Sequence, residues 1–325
     1  MMPALQRYRP ALPIPQLVAE INKLHHEREA AIYERTHPEI FEQLPALWRE
    51  MIAVSQPFLG GRQSKLRILD FGCGTGFEAR QCLQALGASR IGRLVCYDPS
   101  PHMIEQCRRA LECRGVPAEY ATDPEALDGE FDLLITNSVL HHIADPLAAI
   151  AGLMPLLAPT AVWLNGHEPS RRYQANPECR ALLKRYDARY RWRRLLDARR
   201  YARRALRFAR LAELPEDYAA RRAFEHALFA RRPPARLVGR LVDFHVVLDD
   251  AESEAGARRG LDFMALKAAW RGQWELLWRR TYAFLGPHYP PSLPARWRDE
   301  ASLLAGKYPD DGANCCLVWR RTVQG

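Results

Sequence analysis

The 325-residue chain contains no run of 18 apolar residues, so it holds no segment able to cross a bilayer as a helix. Its opening residues, Met1-Met2-Pro3-Ala4-Leu5-Gln6-Arg7-Tyr8-Arg9, lead into prolines and carry no apolar core, the wrong pattern for a secretory signal. A cytoplasmic location is therefore expected. Eight cysteines are present: Cys73, Cys82, Cys96, Cys107, Cys113, Cys179, Cys315 and Cys316. None forms a C-x-x-C pair, which favours reduced, mostly buried thiols over a metal site or a disulfide framework. No internal repeat or low-complexity tract occurs. With 48% apolar and 26% charged residues, the composition excludes a disordered chain, a collagen-like fibre and a coiled coil.

What is present is uneven in charge. The chain carries +9 overall, yet residues 171–240 alone hold 21 Lys and Arg against 7 Asp and Glu, a local charge of +14. Everything outside that segment sums to −5.

Four blocks are expected. Residues 1–62 read as helical, with apolar residues three to four apart in Gln16–Leu24 and Glu39–Val54. Residues 63–170 alternate strand-like and helix-like runs, the mark of βαβ units on a parallel sheet. Strands are expected at Leu66–Asp70, Arg93–Asp98, Ala118–Ala121, Phe131–Thr136 and Thr160–Asn165. Asp145-Pro146 is an expected helix cap. Residues 171–250 break the rhythm and read as an inserted basic helical cap, with Leu182, Leu183, Tyr186, Tyr190, Leu195 and Leu196 on one stripe. Residues 251–325 resume it, with strands near 274–284 and 315–319.

Chemistry concentrates after the first strand. In Asp70-Phe71-Gly72-Cys73-Gly74-Thr75-Gly76 an apolar strand meets three glycines at alternating positions before a helix. Glycine permits a tight turn and close approach of a ligand to the main chain. The spacing is G-x-G-x-G and not the G-x-G-x-x-G of a pyrophosphate loop. An acid beside the loop would repel a pyrophosphate but suits an ammonium or sulfonium. Asp98 ends the second strand, where doubly wound folds place the acid that accepts ribose hydroxyls. Tyr97 and Pro99 to Met103 are placed to flank an adenine.

In these motifs, together with Asp123 and Phe131 to Pro146, the chain resembles the class I S-adenosylmethionine (SAM)-dependent methyltransferases. The resemblance covers about residues 65–170 and the closing strands in 274–322. It implies a Rossmann-like α/β fold: a seven-stranded, mostly parallel sheet with an antiparallel last strand, roofed by an N-terminal helical lid and the helical insertion. It implies SAM as cofactor and S-adenosylhomocysteine as product. Gly72, Cys73, Gly74 and Gly76 would cradle the methionine part, with Asp70 holding the loop and reaching the ammonium through water. Asp98, with Pro99 and Met103, would bind the adenosine. Asp123 would contact the adenine amino group, or serve only as a helix cap. Asn137 and Ser138 would border the methionine end.

The segment Asn137-Ser138-Val139-Leu140-His141-His142 lies at the carboxyl edge of the sheet, where reacting groups belong. Histidine suits removal of a proton from a methyl acceptor near neutral pH, so His141 is the first candidate base and His142 the second. Either residue instead serves packing if proximity alone drives the reaction. The segment lacks the (Asp/Asn)-Pro-Pro-aromatic signature of amino-methyltransferases acting on adenine or glutamine. His167 and Glu168, after the fifth strand, are further candidates to orient an acceptor or act as a base. Arg171 and Tyr173 follow them, and Tyr33 belongs to the lid. No metal site is expected, although His141, His142, His167 and Glu168 are free to meet in space.

The expected acceptor is a small molecule presenting an O, N or C nucleophile, acidic or held on an acidic carrier protein if the insertion's arginines take part. Two other readings stand beside it: an RNA or protein methyltransferase docking through the basic insertion, and a non-catalytic SAM binder. Nucleic acid is the less favoured partner.

Overall fold

Seven apolar runs become strands of one sheet: β1 (Leu66–Phe71), β2 (Ile91–Tyr97), β3 (Ala118–Ala121), β4 (Phe131–Asn137), β5 (Leu157–Pro169), β6 (Trp274–Tyr282) and β7 (Asn314–Arg321). The computed structural model describes residues 2–60, 65–114, 118–195, 213–244, 260–286 and 294–322. Strand order is β3-β2-β1-β4-β5-β7-β6. The pairs among β1 to β5 are parallel, and β7 is antiparallel to both β5 and β6. The expected sheet with one antiparallel last strand is thus observed. Order reverses between β1 and β4, and in such sheets the crevice outside the strands' carboxyl ends at that point receives ligands.

Strands buried on both faces read as continuous apolar runs. Leu66 and Ile68 of β1 face one core, and Leu69 faces the other. The first core is covered by α4 (Pro38–Ser55), α5 (Phe77–Leu86) and α6 (Pro101–Leu111). The second is covered by α7 (Pro146–Leu153) and α12 (Phe263–Ala269), around a cluster of Trp163, Trp270, Trp274 and Trp319. Asp145 caps α7, accepting a hydrogen bond from the Ala148 amide at 3.0 Å, as its position before Pro146 led us to expect. Seven cysteines are free and buried.

A third core stands apart from the sheet. In it α2 (Ile14–Glu29) packs Leu17, Val18, Ile21 and Leu24 against α10 (Pro215–Glu225) and α11 (Ala235–Val242). This divides the expected N-terminal block. Helix α2 belongs to a roof shared with the insertion, whereas α4 buries Leu44, Trp48 and Met51 in the sheet core. The short α3 (Tyr33–Thr36) joins them, and α1 (Met2–Gln6) precedes them.

The insertion divides in the same way. Helices α8 (Arg171–Ala175) and α9 (Pro177–Leu195) pack through Tyr173, Cys179, Leu182 and Tyr186 against Phe284, Leu285 and α13 (Ala295–Lys307), away from the roof. Leu196 of the expected stripe lies outside the described residues. Among the described residues no helix is long and apolar enough to cross a membrane.

Candidate functional site

A cavity of about 360 Å³ lies between the carboxyl ends of β1, β2 and β4 and the roof helix α2. The floor is the glycine loop. Gly72, Gly74 and Gly76 all have positive φ (+78°, +50° and +75°), a region that penalises side chains. A Cβ at Gly72 would collide with Val139, and one at Gly76 would lie 2.8 Å from Cys107 Sγ. A Cβ at Gly74 would meet nothing within 4 Å, so there the main chain is bare to the cavity. The Gly72 and Cys73 amides both donate to the Tyr97 carbonyl, at 2.7 and 2.9 Å, which ties the loop to the end of β2.

Asp98 is the hub of this floor. It is buried and lines the cavity. Its carboxylate accepts from the Gly74 amide at 3.1 Å and the Ser100 amide at 2.9 Å. Burial raises its pKa, against the pull of nearby His26 and of those two amides. Pro99, Met103, Asn137, Ser138 and Cys73 also line the cavity. Ser138 has φ +57° and His167 φ +53°. Ser138 follows the end of β4 and His167 sits at the irregularity in β5 between Asn165 and Glu168, the kind of local strain that collects at functional sites.

Asp70 is buried beneath the loop and off the cavity wall. Burial and the neighbouring Glu78 push its pKa well up. Glu78, unnoticed in the sequence, opens α5, lines the cavity and is itself pushed up to about 8, first by burial. Asp123 is exposed and away from the cavity. It caps a short turn, accepting from the Glu125 amide at 2.9 Å, so of its two expected roles the structure displays the cap.

The two adjacent histidines face different partners. His141 is buried, and its Nδ1 lies 2.8 Å from Glu168 Oε2. The Glu168 carboxylate, 1% exposed, also accepts from the amides of Val139, Leu140 and His141 at 3.0, 2.9 and 3.2 Å. Its acceptor capacity thus goes to holding the loop after β4. His142, not His141, lines the cavity. Its Nδ1 is 2.7 Å from the Val242 carbonyl at the end of α11. A carbonyl only accepts, so Nδ1 carries the hydrogen and Nε2 keeps the lone pair. Burial, then His141 and His26, hold the His142 pKa well below 6.5, so the ring is neutral at pH 7. A neutral imidazole that keeps a lone pair on Nε2 and borders a cavity is equipped to accept a proton.

His167 pairs through Nδ1 with the Tyr282 hydroxyl, and Arg171 with Asp262 at 3.3 Å. Tyr173 is buried against Cys179 and Phe284. None of these three borders the cavity. Tyr33 does, stacked on His37 with ring centres 4.5 Å apart. The roof adds Asn22 and His26 of α2. The rings of His26 and His142 meet edge-on with centres 5.4 Å apart, and the Asn22 amide donates to the His142 carbonyl at 3.4 Å. The apolar spacing of Gln16–Leu24 runs directly into His25-His26-x-x-Glu29. That spacing was the signal available for this part of the wall.

The floor fits a ligand bearing an adenosine and an ammonium. Asp98 offers an acceptor for ribose hydroxyls, Gly74 gives open main chain, and the buried Asn137 Oδ1 has no hydrogen-bond partner among the described residues.

Residues 69–163 match the family model of a methyltransferase domain. Over 124 residues the chain is 33% identical to the ubiquinone biosynthesis O-methyltransferase of Cereibacter sphaeroides, covering 37% of this chain and 46% of that protein. Over 84 residues it is 44% identical to the ubiquinone biosynthesis O-methyltransferase of Methylocella silvestris, covering 25% and 31%. The chain thus spans less than half the length of these curated relatives. The plantazolicin methyltransferase BamL, solved with a triazolic desmethylPZN analogue and S-adenosylhomocysteine, shares 12% identity over 96% of this chain and 98% of that one, with a TM-score of 0.44. Residues 69–163, which hold the glycine loop and Asp98, thus carry a methyltransferase domain, set on a sheet whose last strand alone is antiparallel.

Proposed function

We propose that the protein transfers the methyl group of SAM to an oxygen, nitrogen or carbon nucleophile of a small molecule. The observation that carries this reading is that the glycine floor with Asp98 and the neutral His142 border one cavity of about 360 Å³. When bound, SAM supplies an electrophilic methyl group on a sulfonium. Asp98 accepts the ribose hydroxyls, while Gly74, Asn137 and Glu78 surround the methionine end. His142 accepts the acceptor's proton at Nε2. Val242 fixes its tautomer, and Glu168, by holding His141 and the loop amides, sets where the His142 ring stands. Glu168 and His141 are positioning residues in this scheme, and His167, Arg171 and Tyr173 support the surrounding fold. Chain blocks follow the cores: residues 63–170 with the last two strands form the catalytic body, and α2 with α10 and α11 forms its roof.

A roofed cavity supports a small acceptor over a polymer. The basic segment supports the same choice, because several arginines among its described residues are paired: Arg172 with Asp311, Arg185 with Glu300, and Arg221 with Glu213 and Glu225. We assign the protein to the cytoplasm, where thiols such as its buried cysteines stay reduced. An acidic carrier protein as donor of the acceptor is a narrower form of the same proposal.

The test uses SAM with a labelled methyl group and the protein in a cell extract, fractionated into small molecules, RNA and protein. Label in the small-molecule fraction is expected. Label in RNA or protein would overturn the substrate class, and SAM binding without label transfer to any fraction would leave only a SAM binder.

A further inference from the structure

Asn22 of the roof has an oxygen that the methyl-transfer scheme does not use. The residue lies on α2, is 6% exposed and borders the cavity. Its Nδ2 donates to the Val18 carbonyl at 2.9 Å and to the His142 carbonyl at 3.4 Å. Carbonyls only accept, so these two contacts fix which end of the amide is nitrogen and which is oxygen. Oδ1 is buried and has no hydrogen-bond partner among the described residues. A buried acceptor without a donor is costly to keep, and a ligand that brings the donor removes the cost.

The wall around Asn22 limits what else such a ligand carries. Pro15, Val18 and Ala19 of α2 and Ile143, Ala144 and Ala148 after β4 border the same cavity, and all six are apolar. Ala144 also packs against the roof core. Among the described residues the wall includes the acids Glu78, Asp98 and Asp145 and no lysine or arginine. His26 already answers to a carboxylate, with Nδ1 3.1 Å from Glu29 Oε2. An anionic group entering here would meet acids and no unclaimed cation, a costly transfer from water.

We propose that Asn22 selects the methyl acceptor: Oδ1 accepts a hydrogen bond from a donor group placed beside the atom to be methylated, and the rest of the acceptor inside the cavity is apolar and uncharged. This inference rests on the methyl-transfer reading and names the acceptor class within it. Asn22 and His142 are two acceptors on one wall, joined through the His142 carbonyl. A nucleophile that gives its proton to His142 and a neighbouring hydroxyl or N–H that donates to Asn22 satisfy both. An analogue lacking the second donor leaves Oδ1 unpaired, which is how a site of this kind rejects it.

The experiment is calorimetric titration of the full chain, saturated with S-adenosylhomocysteine at pH 7, with three probes of one ring system: a naphthol, a dihydroxynaphthalene with adjacent hydroxyls, and a naphthoate. The wild type should prefer the adjacent diol to the naphthol by about threefold to tenfold. It should bind the naphthoate more than about tenfold more weakly than the naphthol. Asn22→Leu should bring the diol and naphthol within about twofold of each other. A merely structural role for Asn22 would weaken both probes alike and leave their ratio unchanged. Asn22→Asp keeps an oxygen and loses the two donated bonds, so it should retain the preference for the diol, and it guards against misfolding of the leucine variant. An equal ratio in wild type and Asn22→Leu, a naphthoate bound as tightly as the naphthol, or no binding of either hydroxylated probe overturns the proposal. S-adenosylhomocysteine binding is measured first on the same samples. Its failure in the wild type would overturn the methyl-transfer reading itself, and this inference with it.

Discussion

The floor and the roof of the cavity are built by opposite means. The floor is main chain: three left-handed glycines, two amides given to the Tyr97 carbonyl and two given to Asp98. Its shape follows from residues within thirty positions of one another. The roof is side chain: apolar stripes of α2, α10 and α11 that lie far apart in the chain and meet in a core of their own. Ligand chemistry that every member of a family shares can be held by a floor of the first kind. Acceptor choice, which differs between members, suits a roof of the second kind, because packed side chains change without disturbing the backbone beneath.

Asp98→Ala should cut most deeply into the floor. Each hydrogen bond to a charged acceptor contributes about 1.5 to 3 kcal/mol, and two to the ribose predict that S-adenosylhomocysteine affinity falls by more than about a hundredfold. Calorimetry reads this directly. A loss under tenfold would mean that the ribose is held elsewhere, and the floor would no longer be the shared part.

His142→Ala separates the two parts instead. The ring enters from the sheet edge but takes its tautomer from Val242 in the roof. Methyl transfer should fall by about a hundredfold to ten-thousandfold, while S-adenosylhomocysteine affinity stays within about threefold. His141→Ala should lower kcat less, since that ring acts through Glu168 and the loop. If His141→Ala is the more damaging, the roles of the two rings are reversed.

How far each part was legible follows from this contrast. The glycine spacing, the acid ending the second strand and the Asp145-Pro146 cap are local signals, and each stands in the structure at its expected place. The division of roles between His141 and His142 was not legible, because it depends on Glu168 and Val242, 27 and 100 residues away. Asp123 read equally as ligand contact or cap, since both need an acid after a strand. His167 near the end of β5, and Arg171 and Tyr173 after it, lie at the reactive edge, yet their side chains turn to Tyr282, Asp262 and Phe284. Sequence order fixes the edge a residue reaches but not the side to which it turns. The last turn of α2, His25 to Glu29, is polar and carries no apolar stripe to mark it. His25 and Glu29 are nonetheless buried, packed against each other and His26.

Leu241→Ala tests the roof as a unit. Leu241 is fully buried in the third core. Truncation of such a leucine typically costs about 2 to 5 kcal/mol. If the roof unfolds apart from the body, the variant should show a separate early transition in calorimetry, with S-adenosylhomocysteine still protecting the main one. A single transition shifted as a whole would show that roof and floor are one cooperative unit, and the contrast would be of construction only.

The smallest expected effect is a proton linkage confined to the floor. Glu78 lines the cavity, and its carboxyl is pushed up to about 8. Burial dominates and Cys107 adds to it, whereas a backbone amide, Arg80 and Asn137 act in the opposite sense. In the free protein Glu78 is therefore largely protonated at pH 7. An ammonium brought beside it favours the carboxylate and lowers that pKa, so binding releases a proton at any pH between the bound and free values. Affinity for S-adenosylhomocysteine should rise as pH increases toward 8, by at most about tenfold per unit, and flatten above 8 where the free protein has already lost the proton. Calorimetry in two buffers of different ionisation enthalpy at pH 7 should register the release. Glu78→Gln removes an acid that never needed to ionise in the free state, so it should fold normally, and the pH slope should fall to what Asp70 alone supplies. A slope unchanged in Glu78→Gln would place the ammonium away from this wall, and Asp70, beneath the loop, would then be the group that answers to the ligand.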